Sequence, residues 1–448
     1  MHETQTPSVR PNLVVNALEL GFAAYERTHA LPHYVIQAVR LILLCRTAAL
    51  GGHVEACPNG CVQRIRYNSC GHRGCPICAY VKIARWLQQQ RQQLLACDHD
   101  HVIFTMPSAL NPLWIANVPQ MTTLVFQALR ATLMELCGDP AYGGFVPGIL
   151  AVLQTWGQTL VLHPHLHCLV TGGGLTPEGT WKSGRNGYLL PVRVVMALFR
   201  GKFLAVLRQG VRQGRLTLPP GWREQQILNL LNKLGRPKWN VHIRQRCSRP
   251  EQVVDYVGRY IRGLPIGNRR MVAVTPARVR FTYRDDRAEE ATGEATQAEM
   301  PLSLEDFLQR LLWHVPAPGS QRIRRYGVYA SGKKRAVARC RAQLPTREPG
   351  AEDVADVVVR CPVCGRPLVV WQVLPSTRTG RLPARVQVGA GLGRWPGAIQ
   401  PKVSRSRNTA QGKALADGEV CVPAHKSEGC WMCQRRRRGI TIVSDDPG

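Results

Sequence analysis

Apolar residues recur at helical spacing through residues 11–50, among them Val14, Leu18, Phe22, Val35 and Val39, with a break at Leu31 and Pro32. Two helices are expected there. The stretch VKIARWLQQQRQQLL (81–95) suits an amphipathic helix, HVIFTM (101–106) a short buried strand ended by Pro107, and 119–137 another helix before the turn-rich YGGFVPG. In ILAVLQTWGQTLVLHPHLHCLVTGGG two strand candidates precede a glycine run that must turn. In RPEQVVDYVGRYIRGLP, Pro250 and Glu251 suit a first helical turn and Gly263 and Pro265 an end, while Val253, Val254, Val257, Ile261 and Leu264 share one face. Helices and strands mixed in this order predict an α+β core. Beyond residue 346 the periodicity stops, and a Gly-, Pro-, Ser- and Arg-rich stretch running to QRRRRG reads as a flexible basic tail.

Composition adds a partner to this outline. The 448 residues carry 59 Lys+Arg against 29 Asp+Glu, a formal charge of +30, and such an excess points to a polyanion, nucleic acid first. With 44% hydrophobic residues the chain is expected to bury a substantial core rather than remain a disordered basic arm. No run reaches the ~18–20 apolar residues of a membrane span, and the first residues lack a signal-peptide pattern. A cytoplasmic protein with no membrane partner is expected.

Sixteen cysteines in such a compartment call for metal rather than disulfides. In CPNGCVQRIRYNSCGHRGCPICAY, Cys57 and Cys61 form one knuckle and Cys75 and Cys78 a second, with Cys70 and His72 between. Four thiolates closing around Zn2+ would hold a small unit that has few apolar residues of its own. Cys57, Cys61, Cys75 and Cys78 are the expected set; the first knuckle is one residue longer than usual, so Cys70 or His72 could replace a member. A further CPVC, Cys361 and Cys364, could pair with Cys430 and Cys433 of CWMC in a second zinc site.

The HPHLHCLV segment places His163, His165 and His167 on every second residue. In a strand they share a face, and about 7 Å of backbone between His165 and His167 suffices for both to grip one divalent ion. His163 could be a further ligand or support one. Downstream, Tyr256 and Tyr260 lie four apart on the margin of the predicted helix's apolar stripe, and Arg259 and Arg262 are placed to meet phosphates. A cation that polarises a phosphoryl oxygen and a phenol that attacks phosphorus are complementary parts of one strand-cleaving reaction.

These blocks carry a family resemblance. HPHLHCLVTGGGL resembles the histidine-hydrophobic-histidine motif of HUH-type nucleases, and DYVGRY resembles the paired-tyrosine helix of the rolling-circle insertion-sequence transposases in that group, common-region elements included. YNSCGHRGCPIC is similar to their N-terminal zinc unit, FTMPSALNPLW to a following strand and turn, and HVPAPGSQRIRRYG to a block beyond the tyrosines, so that the resemblance spans most of residues 45–330. It implies a ferredoxin-like antiparallel sheet with the histidines on a central strand. It implies Mg2+ or Mn2+ at His165 and His167, with a third protein ligand from elsewhere, for which His163 and Gln158 are candidates. It also implies Tyr256 and Tyr260 as nucleophiles that form 5′-phosphotyrosine links, and as partner the single-stranded DNA of the element's ends and target.

The resulting organisation is a helical segment (1–50), a zinc-binding domain (51–95), a nuclease core (96–290), a family-specific segment (291–345) and the tail (346–448). A non-catalytic zinc-containing regulator would explain the charge and cysteines but leaves the histidines and tyrosines idle. A plasmid rolling-circle replication initiator or relaxase shares the chemistry; the flanking zinc and RRYG blocks favour a transposase. No Asp, Asp, Glu set emerges for a three-carboxylate enzyme. The sequence sets no oligomeric state.

Overall fold

The computed structural model describes residues 12–184, 189–244, 254–255, 258, 264–285, 288, 294, 296–346 and 359–377. Tyr256, Tyr260, Arg259, Arg262, Cys430 and Cys433 lie outside the described residues.

The chain opens with α1 (Leu13–Thr28) and α2 (His33–Leu43), separated where the Leu-Pro break was expected. Asn12 caps α1 by accepting the Val15 N–H, and Pro32 supplies a fixed φ just ahead of α2. A hairpin follows, β1 (Gly52–Ala56) and β2 (Gln63–Tyr67), and then α3 (Ala79–Gln93) starts directly from Cys78.

The middle of the chain is built on one antiparallel sheet. Its strands are β3 (His99–Thr105), β4 (Val146–Trp156), β5 (Leu162–Leu175), β6 (Trp181–Ser183), β7 (Val241–Ile243) and β11 (Ile323–Gly327), in the order β11, β4, β5, β3, β7, with β6 paired to the far end of β5. One face carries Val102, Phe104, Ile149, Ala151, Leu153, Leu166, Cys168 and Val170. That face packs against α4 (Asn111–Ala116), α5 (Val118–Gly138), α6 (Val192–Arg212) and α7 (Glu224–Leu234) in one apolar cluster that includes Phe126, Phe199 and Phe203. Because β5 is flanked on both sides, it reads as a nearly continuous buried run, and only the register separates its two faces.

A second apolar cluster joins α1 and α2 to a three-stranded sheet of β8 (Met271–Val274), β9 (Arg278–Arg284) and β10 (Gln297–Ser303), and to α8 (Leu304–Leu312). Gly21 of α1 makes room for Leu304 and Leu308 of α8. The two N-terminal helices are thus covered by residues some 280 positions later rather than by the neighbouring hairpin. The third sheet is β12 (Val369–Leu374), β1 and β2, so part of the segment expected to be tail returns as a strand beside the N-terminal hairpin. α9 (Lys334–Gln343) completes the described elements. No helix among the described residues is long and apolar enough to cross a membrane.

The glycine run of β5 earns its place sterically: a Cβ on Gly174 would run into the carbonyl of Val146 on β4. Gly174→Ala should therefore lower the melting temperature. Gly138→Ala should be neutral or slightly stabilising, since nothing lies within 4 Å of that Cβ and alanine is the better helix former. Differential scanning calorimetry of the pair checks the contrast.

Candidate active site on the central strand

The register of β5 puts His165 and His167 on the face opposite the helices, where Thr105 and Ile103 of β3 and Gln154 and Val152 of β4 are their cross-strand neighbours. Both imidazoles are buried, whereas His163, at the exposed start of the strand, lies with its ring centroid 5.2 Å from that of His165. His165 Nδ1 donates to the His163 carbonyl at 2.7 Å, which leaves Nε2 as the lone-pair nitrogen. His167 Nε2 faces Gln154 Oε1 at 3.1 Å, and its Nδ1 lies 3.0 Å from Nε2 of His101 on β3. The Gln154 amide nitrogen donates to the Trp156 carbonyl, which aims the amide oxygen at His167. Burial drives all three imidazoles towards the neutral form: His165 falls to about 4, His101 to about 4 with help from Arg244, and His167 to about 2 with help from His165 and His101.

This donor set fits a divalent cation. Neutral imidazoles are the ligating form, and the His167 nitrogen and the Gln154 oxygen lie 3.1 Å apart. In the tautomer in which His167 Nδ1–H donates to His101 Nε2, the His167 Nε2 lone pair faces Gln154, the arrangement by which an outer histidine sets the tautomer of a ligand. Gln158, by contrast, is exposed in the β4–β5 turn, its carbonyl accepting from Arg270. Sequence reading missed His101 and Gln154. The available signal was a polar residue at an alternating position inside an apolar strand, as in HVIFTM and ILAVLQTW.

A cleft of about 290 Å3 opens beside Gln154 and is lined by Trp156, Gly157, Gln158, Leu264, Pro265, Gly267 and Arg270. Its far wall begins just after the predicted tyrosine helix. The described residues of that helix are firmly held. Val254 is buried in one cluster with Leu150 and Leu169, which lie on the histidine-bearing face of the sheet. Asp255 receives Nε and Nη2 of Arg91 from α3, at 3.1 and 2.8 Å. Gly258 lies so close to Leu87 of α3 that a Cβ there would overlap its side chain.

The thiols divide differently from expectation. Cys45, Cys70, Cys75 and Cys78 form one group and Cys57, Cys61, Cys361 and Cys364 another, each with its sulfurs within 4.8 Å of one another. A single site of Cys57, Cys61, Cys75 and Cys78 is thereby corrected: the two knuckles sit on opposite ends of the β1–β2 hairpin, and each finds its partners elsewhere in the chain. Cys70 lies in the first group, as does Cys45, just after α2, which the spacing did not reveal; its sulfur accepts the Cys70 N–H at 3.4 Å. His72 is outside both groups, its Nδ1 accepting from Gly74 N. The Cys75 thiol hydrogen-bonds to Cys70, holding Cys70 down at about 5 and driving Cys75 far up. Without a cation, such a cluster ionises at one sulfur and resists at the next.

Two family profiles match the chain: "Transposase zinc-binding domain" over residues 17–106, which contains the first thiol group, and "Putative transposase" over 148–336, which contains the histidine strand. "Putative transposase y4qJ" of Sinorhizobium fredii (strain NBRC 101917 / NGR234) is 39% identical over 318 residues, 70% of this chain and 79% of the relative. The chain belongs to the IS91 family of insertion-sequence transposases. "Transposase for insertion sequence element IS801" of Pseudomonas savastanoi pv. phaseolicola is 31% identical over 303 residues, 66% of this chain and 70% of that one. No solved structure matches the chain significantly.

In this transposase the two matched segments are tied together. Arg73, in the loop between Cys70 and Cys75, donates to the carbonyls of Ser320 at 2.6 Å and Ala317 at 2.8 Å, in the HVPAPGSQRIRRYG block. From the same block, His314 is wholly buried and spans the β4–β5 turn, with Nδ1 3.0 Å from Thr155 Oγ1 and Nε2 3.1 Å from the Leu160 carbonyl. The turn needs this support, because Leu160 holds φ +64 without being glycine. Arg322 donates to the His314 carbonyl at 2.5 Å and stacks over Trp156.

Burial lowers His314 to about 3, so the folded state refuses a proton that the unfolded chain accepts below ~6.5. Stability from this group is whole above ~6.5 and falls as pH drops towards about 3, by up to about 1.4 kcal/mol per pH unit. His314→Gln should be less stable than wild type at pH 7 yet lose less on acidification. Melting temperatures from pH 7 to pH 5 test the difference in slope.

Proposed function

We propose that this transposase nicks and rejoins single-stranded DNA at the ends of its mobile element, with Tyr256 and Tyr260 as nucleophiles and His165 and His167 as ligands of Mg2+ or Mn2+. The observation that supports the reading is the placing of buried His165 and His167 on one sheet face with Gln154, whose amide oxygen lies 3.1 Å from His167. Val254 is buried against that same face. Gln154 is the third ligand on this reading, and His101 orients His167.

The phenol oxygen attacks the scissile phosphorus, the bond from phosphorus to the 3′ oxygen breaks, and the departing oxygen takes up a proton to become a 3′-OH. The strand's 5′ phosphate is then linked to tyrosine, and attack by a 3′-OH on that link reverses the step and rejoins DNA. A phenol of pKa ~10 is a weak nucleophile at neutral pH, so in-line placement by the fold supplies much of the rate. The bound cation would neutralise charge on the phosphate. Two tyrosines on one helix would let the enzyme keep one strand while accepting another, as rolling-circle-like transposition requires. Arg259 and Arg262 serve as phosphate contacts, and the +30 charge as the general hold on the strand. Zn2+ at Cys45, Cys70, Cys75 and Cys78 stabilises the unit from which α3 starts.

Incubated with labelled single strands from the element's ends, wild type should form a covalent adduct in Mg2+ and none in chelator. His165→Ala/His167→Ala should lose nicking by at least 100-fold, while binding, which comes from distributed basic residues, changes little. Tyr256→Phe and Tyr260→Phe should each cripple strand transfer, and the double variant should form no adduct; an adduct that maps to another residue overturns the assignment. Binding should weaken steeply with salt, measured by filter retention between 50 and 200 mM.

A further inference from the structure

The second thiol group joins sulfurs 307 positions apart, Cys57 and Cys364, which approach to 3.4 Å. Only half of the group belongs to the matched zinc-binding segment; Cys361 and Cys364 lie beyond both matched segments.

The two halves are built alike. Each begins Cys-Pro, and the N–H of the first cysteine reaches the carbonyl five residues on: Cys57 to Val62 at 2.8 Å, Cys361 to Arg366 at 2.7 Å. In each a glycine N–H turns back to the first cysteine's carbonyl, Gly60 to Cys57 and Gly365 to Cys361, both at 2.9 Å. These glycines hold φ +75 and +72, which a side chain would resist. Such knuckles curl the backbone so that both sulfurs face inward. The antiparallel pairing of β1 with β12, from Gly52 opposite Leu374 to Ala56 opposite Val369, then brings the knuckles face to face.

Neither burial nor disulfides explain this convergence. Cys57 and Cys361 are buried, but Cys61 and Cys364 are exposed, Val363 is 71% exposed, and the β1, β2, β12 sheet has no apolar cluster of its own among the described residues. A disulfide needs sulfurs at ~2.05 Å and would pair them two by two rather than gather all four. One thiophilic dication bound by all four sulfurs accounts for the gathering.

We propose that Cys57, Cys61, Cys361 and Cys364 hold a zinc ion that clamps the segment around β12 onto the N-terminal hairpin. Ser376, whose hydroxyl bonds to the Ala49 carbonyl at 2.9 Å, is thereby held beside the zinc unit. The clamp rests on the cysteines alone and stands or falls apart from the nicking reading.

Zinc per chain is measured on full-length protein by inductively coupled plasma mass spectrometry. Cys57→Ser/Cys61→Ser and Cys361→Ser/Cys364→Ser should each lose one equivalent relative to wild type. The fourfold variant should lose the same single equivalent. A loss of two in the fourfold variant would mean that the pairs serve separate sites, and no loss in either pair that the thiols are not ligands; both overturn the proposal. Because a variant could misfold, wild-type protein is also followed by hydrogen exchange during chelation. Residues 52–56 and 369–374 should lose protection together while 162–175 keep theirs; zinc release with 369–374 still protected sinks the clamp.

Discussion

Everything about the candidate site follows from the two-residue alternation of a strand that is hydrogen-bonded on both edges. Leu166, Cys168 and Val170 must enter the helical side of the sheet, which forces His165 and His167 to the other. Slipping the register by one residue would drive two imidazoles among Phe104, Phe126 and Phe199 and put Leu166, Cys168 and Val170 beside Gln154 in their place. The same apolar packing that stabilises the sheet therefore fixes the histidines, and no separate device is needed to aim them.

The helix α3 connects this sheet to the thiol unit. It starts at Cys78 and lies against the tyrosine-bearing segment through Arg91 with Asp255 and Leu87 with Gly258. It also holds the β11 edge, where Arg325 donates to Gln90 at 2.6 Å. A thiol cluster that looks remote from the histidines thus governs the start of an element packed over their face of the sheet. Zinc in the first group would bear on the histidine face through the position of a helix rather than through chemistry of its own.

What could be read from the sequence was local and periodic: the Leu-Pro break between the first two helices, the alternation of HPHLHCLV, the helix near 119–137 and the two strands before the glycine run. The α+β class and the central place of the histidine strand followed from these and from the family resemblance. What escaped was set by contacts across long separations. Cys45 has no neighbouring cysteine to announce it, and the pairing of Cys361 and Cys364 with Cys57 and Cys61 depends on β12 crossing back to β1. His101 and Gln154 each sit singly in an apolar strand, and only the register of three strands brings them to His167. A charged or amide side chain alone in a buried run marks an unusual position without naming its partner.

The return of β12 to β1 also has a consequence for a chain made from its N-terminus. The hairpin leaves the ribosome with one edge of β1 open, and its pairing strand is some 300 residues behind, roughly 15 to 60 s at ordinary rates of synthesis. An open edge is a site for pairing with another chain. Glu55, on that strand, already receives Arg64 at 2.7 Å and lies near Arg66, so the nascent hairpin carries charged side chains that a second hairpin would have to desolvate. The β1–β2 ribbon is thus equipped to wait alone through most of its own translation.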